Sequence, residues 1–345
     1  MRILVTGAGG LIGSEAARFF LKKGLVWGID NNMRSVFFGE KGSVKNVIRD
    51  LEKIEGYTHI NADISSKESI QNIFKKISPD IIIHCAAQPS HDKAADIPLL
   101  DFNVNAFGTI NLLEATRKFC KTDAVFINMS TNKVYGDGPN HLEMTESDKR
   151  YDFSDPSYQN GIDEKFSIDQ CMHSLFGASK VAGDVIAQEY GRYFGMNVGI
   201  FRGGCLTGPQ HSGVELHGFL SYIVKCAISE KQYTIFGYKG KQVRDQIHSS
   251  DVVSLFDSFI ENPKKGEVYN LGGGKENSAS ILEIIDIIQN ISGKRLKSVY
   301  SNVARKGDHI CYYSDLSKIK SHFPEYNIKY SLKDIVEEIV NRETL

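Results

Sequence analysis

The chain opens Met1-Arg2-Ile3-Leu4-Val5-Thr6-Gly7-Ala8-Gly9-Gly10-Leu11-Ile12-Gly13. A short β-prone run, Arg2 to Thr6, leads at once into glycines spaced G-x-x-G-x-x-G and then into the helical pattern Leu11 to Lys23. Between a strand and a helix such glycines have a definite use. Without a Cβ the backbone can turn tightly and approach a pyrophosphate, while the helix N-terminus offers N–H groups and partial positive charge. The stretch predicts a dinucleotide site, with Gly7, Gly10, Leu11, Ile12 and Gly13 as its cofactor-facing residues.

Outward from there the alternation continues. Leu25 to Ile29 reads as a second strand and ends on Asp30, 17 residues beyond Gly13. A carboxylate there can accept hydrogen bonds from both ribose hydroxyls of an adenosine, which favours NAD. Arg34 could hold the 2′-phosphate of NADP, but Asp30 would repel that phosphate. Tyr57 to Ile60, Asp80 to His84, Ala124 to Met129 and Asn197 to Phe201 continue as strands; Ser66 to Lys75, Asn103 to Phe119 and Ser174 to Phe194 continue as helices. Near-continuous apolar strands between amphipathic helices predict an α/β, Rossmann-type, doubly wound parallel sheet with helices on both faces. Asn31, Asp63 and Ile64 would border the adenosine half, and Ala86, Ala87, Gln88 and Asn105 the rest of the cofactor. Asp63 reads equally well as a turn aspartate.

A chain of 345 residues exceeds what one core usually fills, so two unequal lobes are expected. The division drawn is a cofactor-binding domain over 1–202, rejoined by about 233–262, and a smaller α/β lobe over 203–345. Apolar stripes at Val252, Leu255, Phe256, Phe259 and Ile260, at Ile281, Ile284, Ile285 and Ile288, and at Leu332, Ile335, Val336, Ile339 and Val340 read as core faces. With 24% charged residues and a net charge of −1, the surface is no nucleic-acid footprint. No run of about 18 apolar residues is present for a membrane, and the opening lacks a signal peptide's apolar region. A cytoplasmic protein is expected. The six cysteines show no C-x-x-C pair and the ten histidines no H-x-x-x-H, so neither a disulfide nor a metal is expected.

Met129-Ser130-Thr131-Asn132-Lys133-Val134-Tyr135-Gly136 resembles the active-site strand end of extended short-chain dehydrogenases, the NAD-dependent epimerase/dehydratase kind. Asn160-Gly161-Ile162-Asp163-Glu164, Gly240-Lys241-Gln242-Val243-Arg244-Asp245 and Arg305-Lys306-Gly307-Asp308 extend the likeness across the chain. The wording S-T-N-K-V-Y-G is most similar to the branch of CDP-sugar 2-epimerases. The resemblance implies NAD as cofactor, a nucleotide-diphosphate sugar, CDP-linked by preference, as substrate, and a homodimer. It implies that Thr131 hydrogen-bonds the reacting hydroxyl beside Asn132 and Lys133, that Lys180 assists both cofactor and proton transfer, and that Arg202, Arg244, Arg305 and Asp308 meet the substrate. Gly203-Gly204 and Gln210 to His217 would lie near base and sugar. Guanidinium forks at 244 and 305 suit diphosphate oxygens.

One atom of that pattern is missing. The family's Tyr-x-x-x-Lys reads here Phe176-Gly177-Ala178-Ser179-Lys180, and none of the 15 tyrosines has a lysine four residues on. Drawing a hydride from a carbinol carbon requires the hydroxyl proton to leave, and phenylalanine cannot take it at any pH. Three explanations stay open: an engineered Tyr-to-Phe change, a natural enzyme that recruits another group, and a nucleotide-sugar-binding protein without catalysis. Cys171, His173 and Lys180 are the candidate substitutes, each also explicable as structural. Dehydratases of the family carry an Asp-Glu pair after the Thr, where this chain has Asn132-Lys133, so 4,6-dehydration is not expected. Epimerisation at C2, with C4 epimerisation or net oxidoreduction as alternatives, is the expected chemistry.

Overall fold

A computed structural model describes residues 1–208, 218–303 and 307–344. Seven strands form the main sheet. The first five in chain order are β1 (Arg2–Thr6), β2 (Leu25–Ile29), β3 (Tyr57–Ile60), β4 (Ile81–His84) and β5 (Val125–Thr131). The spatial order is (Lys265–Leu271)-(Asn197–Gly203)-β5-β4-β1-β2-β3, with β1 parallel to β2 and β4, β2 to β3, and β4 to β5. The order reverses between β1 and β4. In open α/β sheets a ligand crevice opens beyond the strand ends at such a switch point. The doubly wound expectation is met.

The chain divides into two compact units. The first comprises 1–134, 175–202 and 252–269; the second comprises 135–174, 203–251 and 270–345. The sequence reading carried the first domain unbroken to 202 and returned it at 233–262. The contacts instead assign the irregular stretch 135–174 to the second unit and bring back only 252–269. Within the first unit Leu4, Ile82, Phe126 and Ile200 from four strands pack with Phe74, Leu112 and Leu113 from helices. Each of these is closed to solvent, which is why the strands read as unbroken apolar runs. The second unit has its own core, where Leu220, Ile223, Ile284, Ile288, Ile335 and Ile339 meet at helical spacing. The three stripes read from spacing do face cores, except that Ile260 and Ile285 are only half-buried.

Several boundaries moved. The helix read over Asn103 to Phe119 begins earlier, as Pro98–Phe102, passes through a π-helical turn at Asn103–Phe107 and continues as Gly108–Phe119. The helix Ser174–Phe194 falls on the residues expected. Among the described residues, no helix is long and apolar enough to cross a membrane.

Candidate active site

The first unit builds a cradle between β1 and helix α1 (Leu11–Phe20). Gly7 has φ +67, and a Cβ there would lie 2.7 Å from the Ala86 nitrogen on the loop after β4. A Cβ at Gly13 would lie 2.1 Å from the Gly7 oxygen, so α1 can approach the turn only as glycine. Gly10 caps α1 without any side-chain hydrogen bond, which leaves first-turn N–H groups for an anion. Asp30 accepts from Gly9 N at 2.9 Å and from Asn32 N at 2.8 Å, so the backbone aims its carboxylate beside the glycine turn. Bare N–H groups, room only for glycine and a fixed carboxylate fit a dinucleotide with free ribose hydroxyls. Arg34, 4.9 Å over the Phe38 ring, is shifted down by burial against the opposing pull of Asp30.

The remaining cofactor candidates divide into two groups. Asp63 behaves as a turn aspartate, taking Ser65 N at 2.8 Å and Ser65 Oγ at 2.7 Å, while its other oxygen accepts from Asn31 Nδ2 at 3.3 Å. Ile64 is buried and lies where any side chain on Gly108 would have to go. Gln88 and Asn105 are both buried and joined: Gln88 N donates to Asn105 Oδ1 at 2.9 Å. The π-helical turn holds Asn105, as such turns often do at functional positions.

At the end of β5, Thr131 Oγ1 accepts from Lys133 N at 3.2 Å and donates to Asn132 Oδ1 at 3.4 Å. Residues 176 and 180 share a face of the Ser174–Phe194 helix. Lys180 is buried and its Nζ donates to Met129 O, on β5, at 2.7 Å. Burial pushes this ammonium down to about 8, opposed by Asp184, Cys85 and Asp101. Its charge in turn helps burial hold the His84 imidazole down to about 3, and His84 sits neutral between Thr6 and Thr109. The Phe176 ring is buried against the His91 ring, centroids 6.4 Å apart.

Arg202 is committed elsewhere. It lies in the strand Asn197–Gly203, 4% exposed, with Nε 3.0 Å from Asp184 Oδ2 and Nη2 2.9 Å from Asp184 Oδ1. Its fork points at this internal carboxylate. In the second unit Arg244 is also buried, donating to Asp308 Oδ1 at 2.6 Å, to Val243 O at 2.7 Å and to His309 O. Arg244 and Asp308 are thus brought together. Arg305 and Gln210 to His217 lie outside the described residues. Cys171 and His173 pair with each other, Sγ to Nε2 at 3.6 Å, and burial pushes the thiol up.

A family model described as the NAD dependent epimerase/dehydratase family matches residues 3–272. The chain belongs to that family. Its cofactor is NAD, in keeping with the cradle. A CDP-paratose 2-epimerase of Salmonella typhi is 31% identical over 98% of both chains. A UDP-glucuronic acid 4-epimerase of Bacillus cereus, solved with UDP-glucuronic acid and NAD, superimposes with a TM-score of 0.80 at 27% identity over 99% of each chain. A Tyr-to-Phe mutant of that enzyme, holding a 4-deoxy-4-fluoro analogue and NAD, has the same TM-score at 26% identity.

For this member of the family, motif reading missed the groups that brace the site. Asp101 is a buried carboxylate that accepts from Gln88 Nε2 at 2.7 Å, Asn105 Nδ2 at 3.0 Å and Ser179 Oγ at 2.5 Å. It ties the loop after β4 to the helix bearing Lys180. Asp184 does the same for β5, accepting from Ser130 Oγ at 2.5 Å. A carboxylate one turn beyond Lys180 on the same face was the available signal.

Proposed function

We propose that the protein is an NAD-dependent nucleotide-sugar epimerase whose reaction is most like that of CDP-paratose 2-epimerase. The observation that carries the substrate is the 31% identity to that enzyme over 98% of both chains. The first unit, in this reading, holds NAD: Gly7 to Gly13 and the N-terminus of α1 take the pyrophosphate, and Asp30 with Asn31 takes the ribose. NAD, when bound, supplies a reversible hydride acceptor. Thr131 Oγ1 hydrogen-bonds the reacting hydroxyl, and the Lys180 ammonium, held at Met129 O, favours the deprotonated oxygen electrostatically. Arg244 and Asp308, brought together within the second unit, are the pair that the family resemblance assigns to the substrate. Asn132 and Lys133 stand where a dehydratase would need carboxylates, so the acid–base pair for eliminating water is not at these positions.

The protein works in the cytoplasm as a homodimer, and the first unit offers the surface for pairing. Leu99, Phe102, Phe107, Val185 and Tyr193 are exposed on neighbouring helices that Tyr190 joins to Glu114 at 3.1 Å.

The test is a panel of CDP- and UDP-sugars incubated with NAD and followed by NMR. Inversion at C2 of CDP-paratose supports the reading. Inversion at C4 of a UDP-sugar moves the protein to the second reading, a 4-epimerase, which the Bacillus cereus likeness favours. Net NADH formation makes it an oxidoreductase, and binding without turnover makes it a sugar-nucleotide binder.

A further inference from the structure

An epimerase with phenylalanine at 176 needs another acceptor for the hydroxyl proton, close to where a phenol would have been. The ring beside Phe176 is an imidazole. His91 stands at the start of the short helix His91–Asp96, its centroid 6.4 Å from that of Phe176 and its plane tilted by 60°. Its side chain is 23% exposed, so it is neither sealed in the core nor free of it.

The two rings are held by one frame. Gln88 Oε1 accepts from Ser90 N at 2.6 Å, and Gln88 Nε2 donates to Ser90 O at 2.9 Å and to Asp101 Oδ1 at 2.7 Å. Asp101 Oδ2 accepts from Ser179 Oγ, which lies between Phe176 and Lys180 on their helix. The segment that ends on His91 is thereby bolted to the helix whose face carries positions 176 and 180. Ser90 also caps the His91 helix, accepting from Lys93 N at 3.1 Å. Among the described residues, the ionisable groups of its own helix are Asp92, Lys93 and Asp96, and those on the elements beside it include Asp101, Lys180 and Asp184. Asp92 Oδ1 is 3.7 Å from His91 Nδ1, which places a carboxylate beside one ring nitrogen.

The other candidates are less well placed. Lys180 is buried and already donates to Met129 O. Cys171 and His173 are paired with each other.

We propose that His91 is the acid–base residue of this enzyme, doing from the neighbouring helix what a phenol at position 176 would do. With NAD bound to take the carbinol hydrogen as hydride, the hydroxyl proton would pass to an imidazole nitrogen of His91 as the C=O bond forms. When the hydride is returned to the opposite face, the imidazolium would give that proton back to the oxygen. The step rests on the epimerase reading above.

The test compares wild type, His91→Asn, Phe176→Tyr and the double variant in turnover of the nucleotide sugar and in its pH profile. His91→Asn is expected to lose about 10²- to 10⁴-fold in kcat with KM changed only a few-fold, and to lose the acid limb of the profile. Adding Phe176→Tyr is expected to restore at least about tenfold, with the limb displaced to the alkaline range of a phenol. Independently of turnover, carbethoxylation of His91, located by peptide mass, is slowed when NAD and nucleotide sugar are both bound. His91→Asn with unchanged kcat and acid limb overturns the proposal. So does a loss that Phe176→Tyr does not rescue, which would make His91 a positioning residue. A silent wild type beside an active Phe176→Tyr keeps the epimerase reading and refutes His91. Silence of all four proteins with every sugar removes the epimerase reading and the proposal with it.

Discussion

Asp184→Asn is expected to cost the first unit about 3–5 kcal/mol, the range for breaking a buried ion pair from one side. Asp184 is 1% exposed and takes four side-chain donors: Arg202 Nε and Nη2, Ser130 Oγ and Gln188 Nε2 at 2.7 Å. The amide keeps one acceptor but turns an NH₂ toward these donors, and it leaves the Arg202 guanidinium buried without a counter-charge. Against a total stability of roughly 5–15 kcal/mol, such a loss is about a fifth or more of what holds the unit together. The assay is built in, because the single tryptophan, Trp27, lies on β2 of this unit, and its fluorescence reports unfolding in urea. The joint change Asp184→Leu with Arg202→Met is expected to recover most of the loss, since an apolar pair needs no desolvation. A second consequence concerns Lys180, whose ammonium Asp184 helps to keep charged. Without that carboxylate the lysine falls below about 8, and the alkaline limb of activity moves to lower pH. A loss below about 1 kcal/mol in the single variant would refute the account.

Three further outcomes are expected. Gly13→Ala places a Cβ 2.1 Å from the Gly7 oxygen, so calorimetric NAD affinity should fall at least about tenfold and stability by about 1–3 kcal/mol. Retained affinity would show that the turn gives way. For Lys180, a folded value of about 8 against 10.5 for the free side chain means that folding opposes its charge. That penalty is complete below about pH 8 and vanishes as pH rises to 10.5, so wild type should gain roughly 3 kcal/mol on Lys180→Met across that window. A flat difference between their urea midpoints would contradict this. Tyr193 is 80% exposed, and in a homodimer paired through its helix Tyr193→Glu should give the 38.5 kDa monomer in sedimentation. A wild type already at that mass would remove the dimer.

The cradle of the first unit was legible because its geometry depends on neighbours in sequence. Gly7, Gly10 and Gly13 lie within one turn of chain, and Asp30 follows at the next strand end, so spacing alone carries the geometry. The substrate half was read from residue type, and type does not reveal a side chain's partner. Arg202 and Arg244 are both arginines near strand ends, yet the fork of Arg202 closes on Asp184, and that of Arg244 is held by Asp308 and two carbonyls. Only the fold brings position 184 to 202, or 101 to both 88 and 179. The same limit applies at the reacting end. Searching for a substitute base by closeness in sequence to Phe176 leads to Cys171 and His173, five and three residues away, which prove to bond each other. The imidazole against the Phe176 ring comes from 85 residues upstream, on a different helix. A missing functional group is replaced from whatever side chain shares its space, so a motif with one atom deleted has to be completed in three dimensions.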